Sequence, residues 1–257
     1  MTDLVSAPLS GRAILVTGAS SGIGRAIALA AARAGADVAI TYRANEQGAR
    51  DVEREIESLG RRSAVIKLDL TDVQALKSVG PAARSALGRL DVWINNAGAD
   101  ILTGAGAGLS TEDKLDLLMA VDLRGTMLAS WQAAELMGAQ TEGGVIINMS
   151  WDHVLTGMAG LNPQLFAAVK GGVLAFSKSL ARSVAPRVRV NVLAPGWIET
   201  SFGAGMDDRA RRAVADSVPV KRWGTPDDVA AAAVFLASPG ATYITGQVIA
   251  VGGGVVM

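Results

Sequence analysis

Seven short apolar runs recur along the chain, each separated from the next by a helix-length segment, and this alternation limits the fold more than any other feature. The runs are Ala13–Thr17, Asp37–Tyr42, Ser63–Leu68, Asp91–Ile94, Gly144–Met149, Arg187–Leu193 and Gln247–Val251. None keeps a strict period of two, so both faces of each run must be covered, as they are in a parallel sheet. Helices are expected to begin near Ile23, Glu46, Val73, Thr111, Gln164 and Pro226. The last start is the best marked, with Thr225 as N-cap, Pro226 in the first turn and Asp227 and Asp228 beside it. Strands interleaved with helices in this way predict an α/β fold, a doubly wound parallel sheet of seven strands flanked by helices. A chain of 257 residues suits one such domain over 1–257.

Composition removes several classes of function. Lys and Arg number 24, Asp and Glu number 24, and no basic run is sustained, which argues against nucleic acid and against an anionic membrane surface. Cysteine is absent and histidine occurs once, so thiolate and histidine-rich metal sites are not expected, and no metal is assigned. The start, Met1 to Gly11, lacks a basic region followed by an apolar run, and no apolar run approaches the ~20 residues of a membrane span. A cytoplasmic protein is the expectation. The Gly-rich stretch Thr103–Leu109 and the region Trp197–Val218 are expected as mobile loops, the second either a surface excursion or a lid over a substrate.

Directly after the first run comes Thr17-Gly18-Ala19-Ser20-Ser21-Gly22-Ile23-Gly24, leading into an Ala-rich helix. Glycines there permit a tight turn and close approach of backbone to a diphosphate. The helix N-terminus behind them presents free N–H groups and the positive end of its dipole. A strand–glycine–helix unit of this kind predicts a Rossmann-type dinucleotide site. The spacing is Gly-x-x-x-Gly-x-Gly rather than the commoner Gly-x-Gly-x-x-Gly.

That loop combines with Leu68-Asp69-Leu70 after the third run, Asn95-Asn96-Ala97-Gly98 after the fourth and Pro195-Gly196 after the sixth. The chain closes on Ile244-Thr245-Gly246-Gln247 and Gly252-Gly253-Gly254. In this order the motifs resemble the short-chain dehydrogenase/reductase family over essentially the whole chain, and within it the 3-oxoacyl-acyl-carrier-protein reductases most. The resemblance implies that Gly18, Ser20, Ser21, Gly22, Ile23 and Gly24 hold the diphosphate and that Asp69 and Leu70 flank the adenine. By the same resemblance Asn95, Ala97 and Gly98 support the strand and ribose, while Pro195, Gly196, Ile198 and Thr200 border the nicotinamide.

The choice between NAD and NADP falls on the end of the second run, which reads Thr41-Tyr42-Arg43. An acid there would bind the adenosine ribose and repel a 2′-phosphate; a guanidinium pairs with that phosphate. Asp37, at the other end of the run, is about 20 Å away at roughly 3.3 Å per residue. NADP is therefore the expected cofactor, with NAD disfavoured; the competing possibility is that Arg43 is only a solvated charge.

The family works with Asn, Ser, Tyr and Lys, the last two as Tyr-x-x-x-Lys on one helix. Tyrosine exchanges a proton with the substrate oxygen, lysine lowers the tyrosine pKa and holds the nicotinamide ribose, serine bonds the substrate oxygen, and asparagine anchors a water. Here Phe166 stands at the tyrosine position, one turn before Lys170, and Asp122 stands at the asparagine position. The serine position falls on Trp151 when counted along the strand and on His153 when counted back from Phe166, so the loop carries two extra residues. Ser150 lies one residue before the first register.

His153, the single histidine, has two readings: a substitute acid/base oriented by Asp152 or Asp122, or a packed loop histidine without chemistry. Lys170 has two as well, a ribose ligand or a proton donor whose pKa is depressed by burial and by a cation such as Arg124. Trp151, Met158 and Leu161 are candidates either for an apolar substrate pocket or for simple packing. The expected function is an NADP(H)-binding oxidoreductase acting on a carbonyl or alcohol, including a 3-oxoacyl thioester, with non-standard catalytic residues. Two alternatives stand beside it: an inactive cofactor-binding subunit of a hetero-oligomer, and a non-redox dehydratase or isomerase. The resemblance further implies a homotetramer and a small-molecule or acyl-thioester substrate.

Overall fold

A computed structural model describes residues 7–256; Met1–Ser6, the start of the segment judged not to be a signal peptide, and Met257 lie outside them. Seven strands form one parallel sheet: β1 Ala13–Val16, β2 Asp37–Tyr42, β3 Ser63–Lys67, β4 Val92–Asn95, β5 Gly144–Met149, β6 Val188–Pro195 and β7 Val248–Val251. Their order across the sheet is β3-β2-β1-β4-β5-β6-β7. This is the doubly wound sheet that the seven runs predict. The chain winds outward from β1 to β3 and then returns to lay β4 against β1, so a crevice opens between the ends of β1 and β4.

Helices cover both faces, which is why the central strands are apolar on both. On one face α1 (Gly22–Arg33), α2 (Glu46–Ser58) and α10 (Pro226–Ala237) bury Ile27, Val52, Ile56, Val229 and Leu236 against Val16, Ile40 and Ile94. On the other, α3 (Val73–Leu87), α6 (Thr126–Gly138) and α7 (Leu161–Val184) bury Leu76, Val79, Leu87, Met137 and Leu180 around Leu15 and Trp93. Strands β3 and β7, at the sheet edges, are only partly covered, as expected where a neighbour is missing on one side.

Between β4 and β5 the chain departs from simple alternation. A short α4 (Gly104–Ala107) lies inside the expected loop Thr103–Leu109. Then α5 (Thr111–Leu118) runs into α6 through a wide, π-helical stretch, Met119–Gly125. Helix α7 begins at Leu161, three residues before the expected Gln164, because Pro163 falls in the first turn, where its missing N–H is not needed. The region Trp197–Val218, expected as a loop, contains α8 (Ser201–Ala204) and α9 (Asp208–Ser217), the latter capped by Asp207.

Candidate active site

The glycine loop is held in place from two sides. The Thr17 hydroxyl accepts the N–H groups of Asn96 and Ala97, both at 3.0 Å, tying the loop to the end of β4. Gly18 donates to the Thr41 hydroxyl at 3.2 Å, tying it to the end of β2. Gly18 adopts φ +65°, and a Cβ there would lie 2.8 Å from Ala97 Cα. At Gly24 a Cβ would lie 2.3 Å from the Gly18 carbonyl oxygen, so strand turn and helix meet without room for a side chain. Ser21 caps α1 without a side-chain bond and no acid stands in the first turn, leaving the N–H groups directed at the loop.

A cleft of about 610 Å³ runs from this loop. It is bordered by Arg43, Asp69 and Leu70 at one end and by Asp122, Phe166, Lys170 and Thr200 at the other. At Gly22, φ +55°, a Cβ would meet nothing within 4 Å, so the loop leaves open space beside its bare backbone; this and the helix N-terminus fit a dinucleotide diphosphate, and the cleft's lining extends from Arg43 to Lys170. Arg43 is exposed at the end of β2. Asp37, at the far end, is occupied by Arg62, whose backbone N–H and side chain both donate to it at 2.8 Å. The Asp69 carboxyl is held below the usual carboxylate range, first by the Thr71 hydroxyl and backbone N–H that donate to it and also by the charge of Arg43.

Of the other residues expected around the cofactor, Ala97 and Gly98 line the cleft, whereas Asn95 turns into the protein. Its amide donates to Asn148 at 2.8 Å and to Ser130 at 3.0 Å, and it accepts from the Trp93 indole at 2.8 Å. The neighbouring Asn96 faces the cleft and anchors the carbonyls of Thr17 and Gly18.

A second chamber of about 520 Å³ adjoins the first, and the two share Ile23, Asn96, Leu102, Phe166, Lys170 and Thr200. Trp151, Met158, Phe166 and Trp197 make its walls largely apolar, with Pro195, Gly196 and Ile198 on the β6 side. Leu161 is not among its lining residues and is half exposed. Phe166 and Lys170, one turn apart on α7, both face it. The Lys170 ammonium lies 2.8 Å from Asp122 Oδ2 and 3.4 Å from the Met149 carbonyl. Asp122 sits in the π-helical stretch, is buried, and accepts the Ala99 N–H at 2.7 Å through its other oxygen. Ser150 is engaged elsewhere, its hydroxyl donating to the Lys170 carbonyl at 2.9 Å.

The two acids named as partners of His153 divide their work. Asp122 holds Lys170, while Asp152 holds His153: its Oδ1 lies 2.6 Å from the imidazole Nδ1 and 2.7 Å from the His153 backbone N–H. The imidazole stacks on Trp151, centroids 4.9 Å apart and planes 22° from parallel, and meets Trp197 edge-on at 6.1 Å. It stands behind Trp151 and is not among the lining residues of the chamber. Asp152 Oδ2 is buried without a hydrogen-bond partner among the described residues, packed where a Cβ on Gly196 or Gly252 would otherwise go. The aromatic set continues through Trp223, 5.6 Å from Trp197. The sequence reading did not single out Trp197 or Trp223; the signal available was a tryptophan directly after Pro195-Gly196.

Comparison with known proteins agrees with this geometry. Residues 18–256 match the family model described as enoyl-(acyl carrier protein) reductase. The chain is 37% identical to a 3-oxoacyl-[acyl-carrier-protein] reductase of Vibrio harveyi, over 97% of this chain and 99% of that one. A short-chain dehydrogenase from Burkholderia cenocepacia, solved in complex with NADP, superposes with a TM-score of 0.86 at 35% identity, covering 96% of this chain and 99% of that one. A 7α-hydroxysteroid dehydrogenase complexed with NADH and 7-oxo glycochenodeoxycholic acid superposes with a TM-score of 0.88 at 29% identity, covering 100% and 98%.

Proposed function

The chain belongs to the short-chain dehydrogenase/reductase family, and we propose that within it the protein is an NADP(H)-dependent oxidoreductase acting on a polarised carbon–heteroatom bond. The observation that carries this is the continuity of the two cavities, a dinucleotide cleft that ends on Lys170 and opens there into a chamber of substrate size. When bound, the dinucleotide supplies or accepts the hydride; the rest falls to the chain. Gly18, Ser20, Ser21, Gly22, Ile23 and Gly24 hold the diphosphate, Arg43 meets the 2′-phosphate, Asp69 and Leu70 flank the adenine, and Lys170 holds the nicotinamide ribose. Pro195, Gly196, Ile198 and Thr200 close over the nicotinamide. The whole span 1–257 acts as one dinucleotide-binding unit.

The carbonyl/alcohol pair, with a 3-oxoacyl thioester as the example offered by the Vibrio relative's name, is the narrower form of this function. It leaves the proton to Lys170 or to His153. A second function, cofactor binding without turnover, is favoured by one observation: Phe166 and Trp151 line the chamber where the family has hydroxyls, and neither side chain carries one. We further propose a cytoplasmic homotetramer: Trp131 on α6 is exposed beside Phe176 on α7, which supports self-association through this face; among the described residues no helix is long and apolar enough to cross a membrane.

Calorimetric titration tests the cofactor assignment. NADPH is expected to bind at least tenfold more tightly than NADH, and Arg43→Asp to reverse the order. Equal affinities in the unaltered protein would overturn the role of Arg43, and no binding of either would overturn the function itself.

A further inference from the structure

A carbonyl is a demanding substrate for this chamber. Addition of hydride to a carbonyl carbon leaves an alkoxide, which must take a proton from a nearby donor. Among the described residues the only ionisable side chain lining the chamber is Lys170, and its ammonium is paired at 2.8 Å with the buried Asp122 carboxylate. The imidazole that could replace the tyrosine lies behind the Trp151 ring, bonded to Asp152. An iminium carbon makes no such demand. Hydride addition turns C=N⁺ into an amine whose nitrogen keeps the former π pair as its lone pair, so the charge is cancelled and no proton is consumed or released. The reductant is a reduced nicotinamide dinucleotide.

The chamber walls suit a cation as well. Trp151, Phe166 and Trp197 line it, and aromatic faces attract organic cations, tryptophan most strongly. The charge around them does not oppose this. Lys170 is paired with Asp122 at 2.8 Å, and behind Trp151 the His153 imidazole is paired with the Asp152 carboxyl at 2.6 Å. Thus, among the described residues, the wall offers aromatic surface whose neighbouring basic groups, Lys170 and His153, are each paired with a carboxyl group.

We propose that the chamber's substrate is an organic cation of the iminium class, with the corresponding amine as product, bound between Trp151, Phe166 and Trp197. This rests on the oxidoreductase assignment above and names the carbon–heteroatom bond as carbon–nitrogen.

The test compares ligands of matched shape by calorimetry and by quenching of tryptophan fluorescence, with and without NADP⁺. The probes are N-methyl-3,4-dihydroisoquinolinium, its unreactive analogue N,N-dimethyl-1,2,3,4-tetrahydroisoquinolinium, and the neutral ketone 1-tetralone. Both cations are expected to bind roughly tenfold more tightly than the ketone. Trp151→Leu and Trp197→Leu should each remove most of that preference, and Trp151→Phe should retain it. Equal or tighter binding of the ketone by the unaltered protein overturns the proposal, and so does a preference that survives both leucine changes. The unaltered protein alone decides the matter if a leucine variant does not fold. Failure of NADPH to bind would instead remove the oxidoreductase assignment, and with it the iminium as substrate.

Discussion

Asp122 and Lys170 form a buried pair at 2.8 Å, with side-chain exposures of 2% and 12%, so neither charge has ready access to water. Breaking such a pair from one side leaves the other charge stranded, whereas removing both is far milder. Asp122→Ala should therefore cost about 3 kcal/mol of stability in urea unfolding, and the double change Asp122→Leu with Lys170→Met should recover most of it. A double variant no more stable than the single would refute the pairing. At this scale the sequence was partly legible. The one-turn spacing that brings Phe166 and Lys170 to a common face follows from helix geometry and could be read directly. The meeting of Asp122 with Lys170 could not, because it depends on a π-helical turn that no local pattern announces. Of the two readings of Lys170, the proton donor beside a cation such as Arg124 meets a carboxylate at that place instead. Likewise, the choice of Asp152 over Asp122 as the partner of His153 is decided by the path of the loop after β5, which residue counting leaves open.

Helix α10 shows an element that was legible almost to the residue. Thr225 accepts the Asp228 N–H, Asp228 accepts the Thr225 N–H at 2.7 Å, and Pro226 fills the first turn. Asp228 also takes a two-pronged bond from Arg222, at 2.7 and 3.0 Å. The guanidinium, with the Thr225 N–H, holds this carboxyl well below the usual carboxylate range. Because the folded pKa lies below the unfolded value of about 3.9, the stabilisation is complete above that pH and is lost as pH falls through the folded value. The melting temperature of the unaltered protein should exceed that of Asp228→Asn at pH 6, and the gap should narrow progressively below about pH 4. A gap that stays constant down to pH 2 would exclude this linkage. Elements with less punctuation were harder to read. Helices α8 and α9 lie in a stretch taken for loop, since α9 exposes most of its residues and buries none, leaving no apolar stripe to detect.

For the whole molecule, a doubly wound parallel sheet of seven strands follows from alternation and from the rule that parallel strands need crossovers, so fold class was legible, whereas the order β3-β2-β1-β4-β5-β6-β7 is given by the structure. The site was legible where it depends on local conformation, at the glycine loop and at the one-turn spacing of Phe166 and Lys170. The chamber joins Trp151 after β5, Phe166 on α7 and Trp197 after β6, and only the tertiary structure assembles it. One contact spans still more of the chain. The Asp152 carboxylate fills the space beside both Gly196 and Gly252, so a Cβ on either would lie 2.4 or 2.3 Å from Oδ2. Gly252→Ala, whose Cβ would meet Asp152 alone, should thus be destabilising by about 1–3 kcal/mol by itself and nearly neutral in an Asp152→Ala background; strict additivity of the two changes would contradict this. These three positions are epistatic. With Asp152 in place neither 196 nor 252 has room for a side chain, and a side chain at either leaves no room for the Asp152 carboxylate, so any redesign of this active-site loop has to change these positions in a set order, the acid before the glycines.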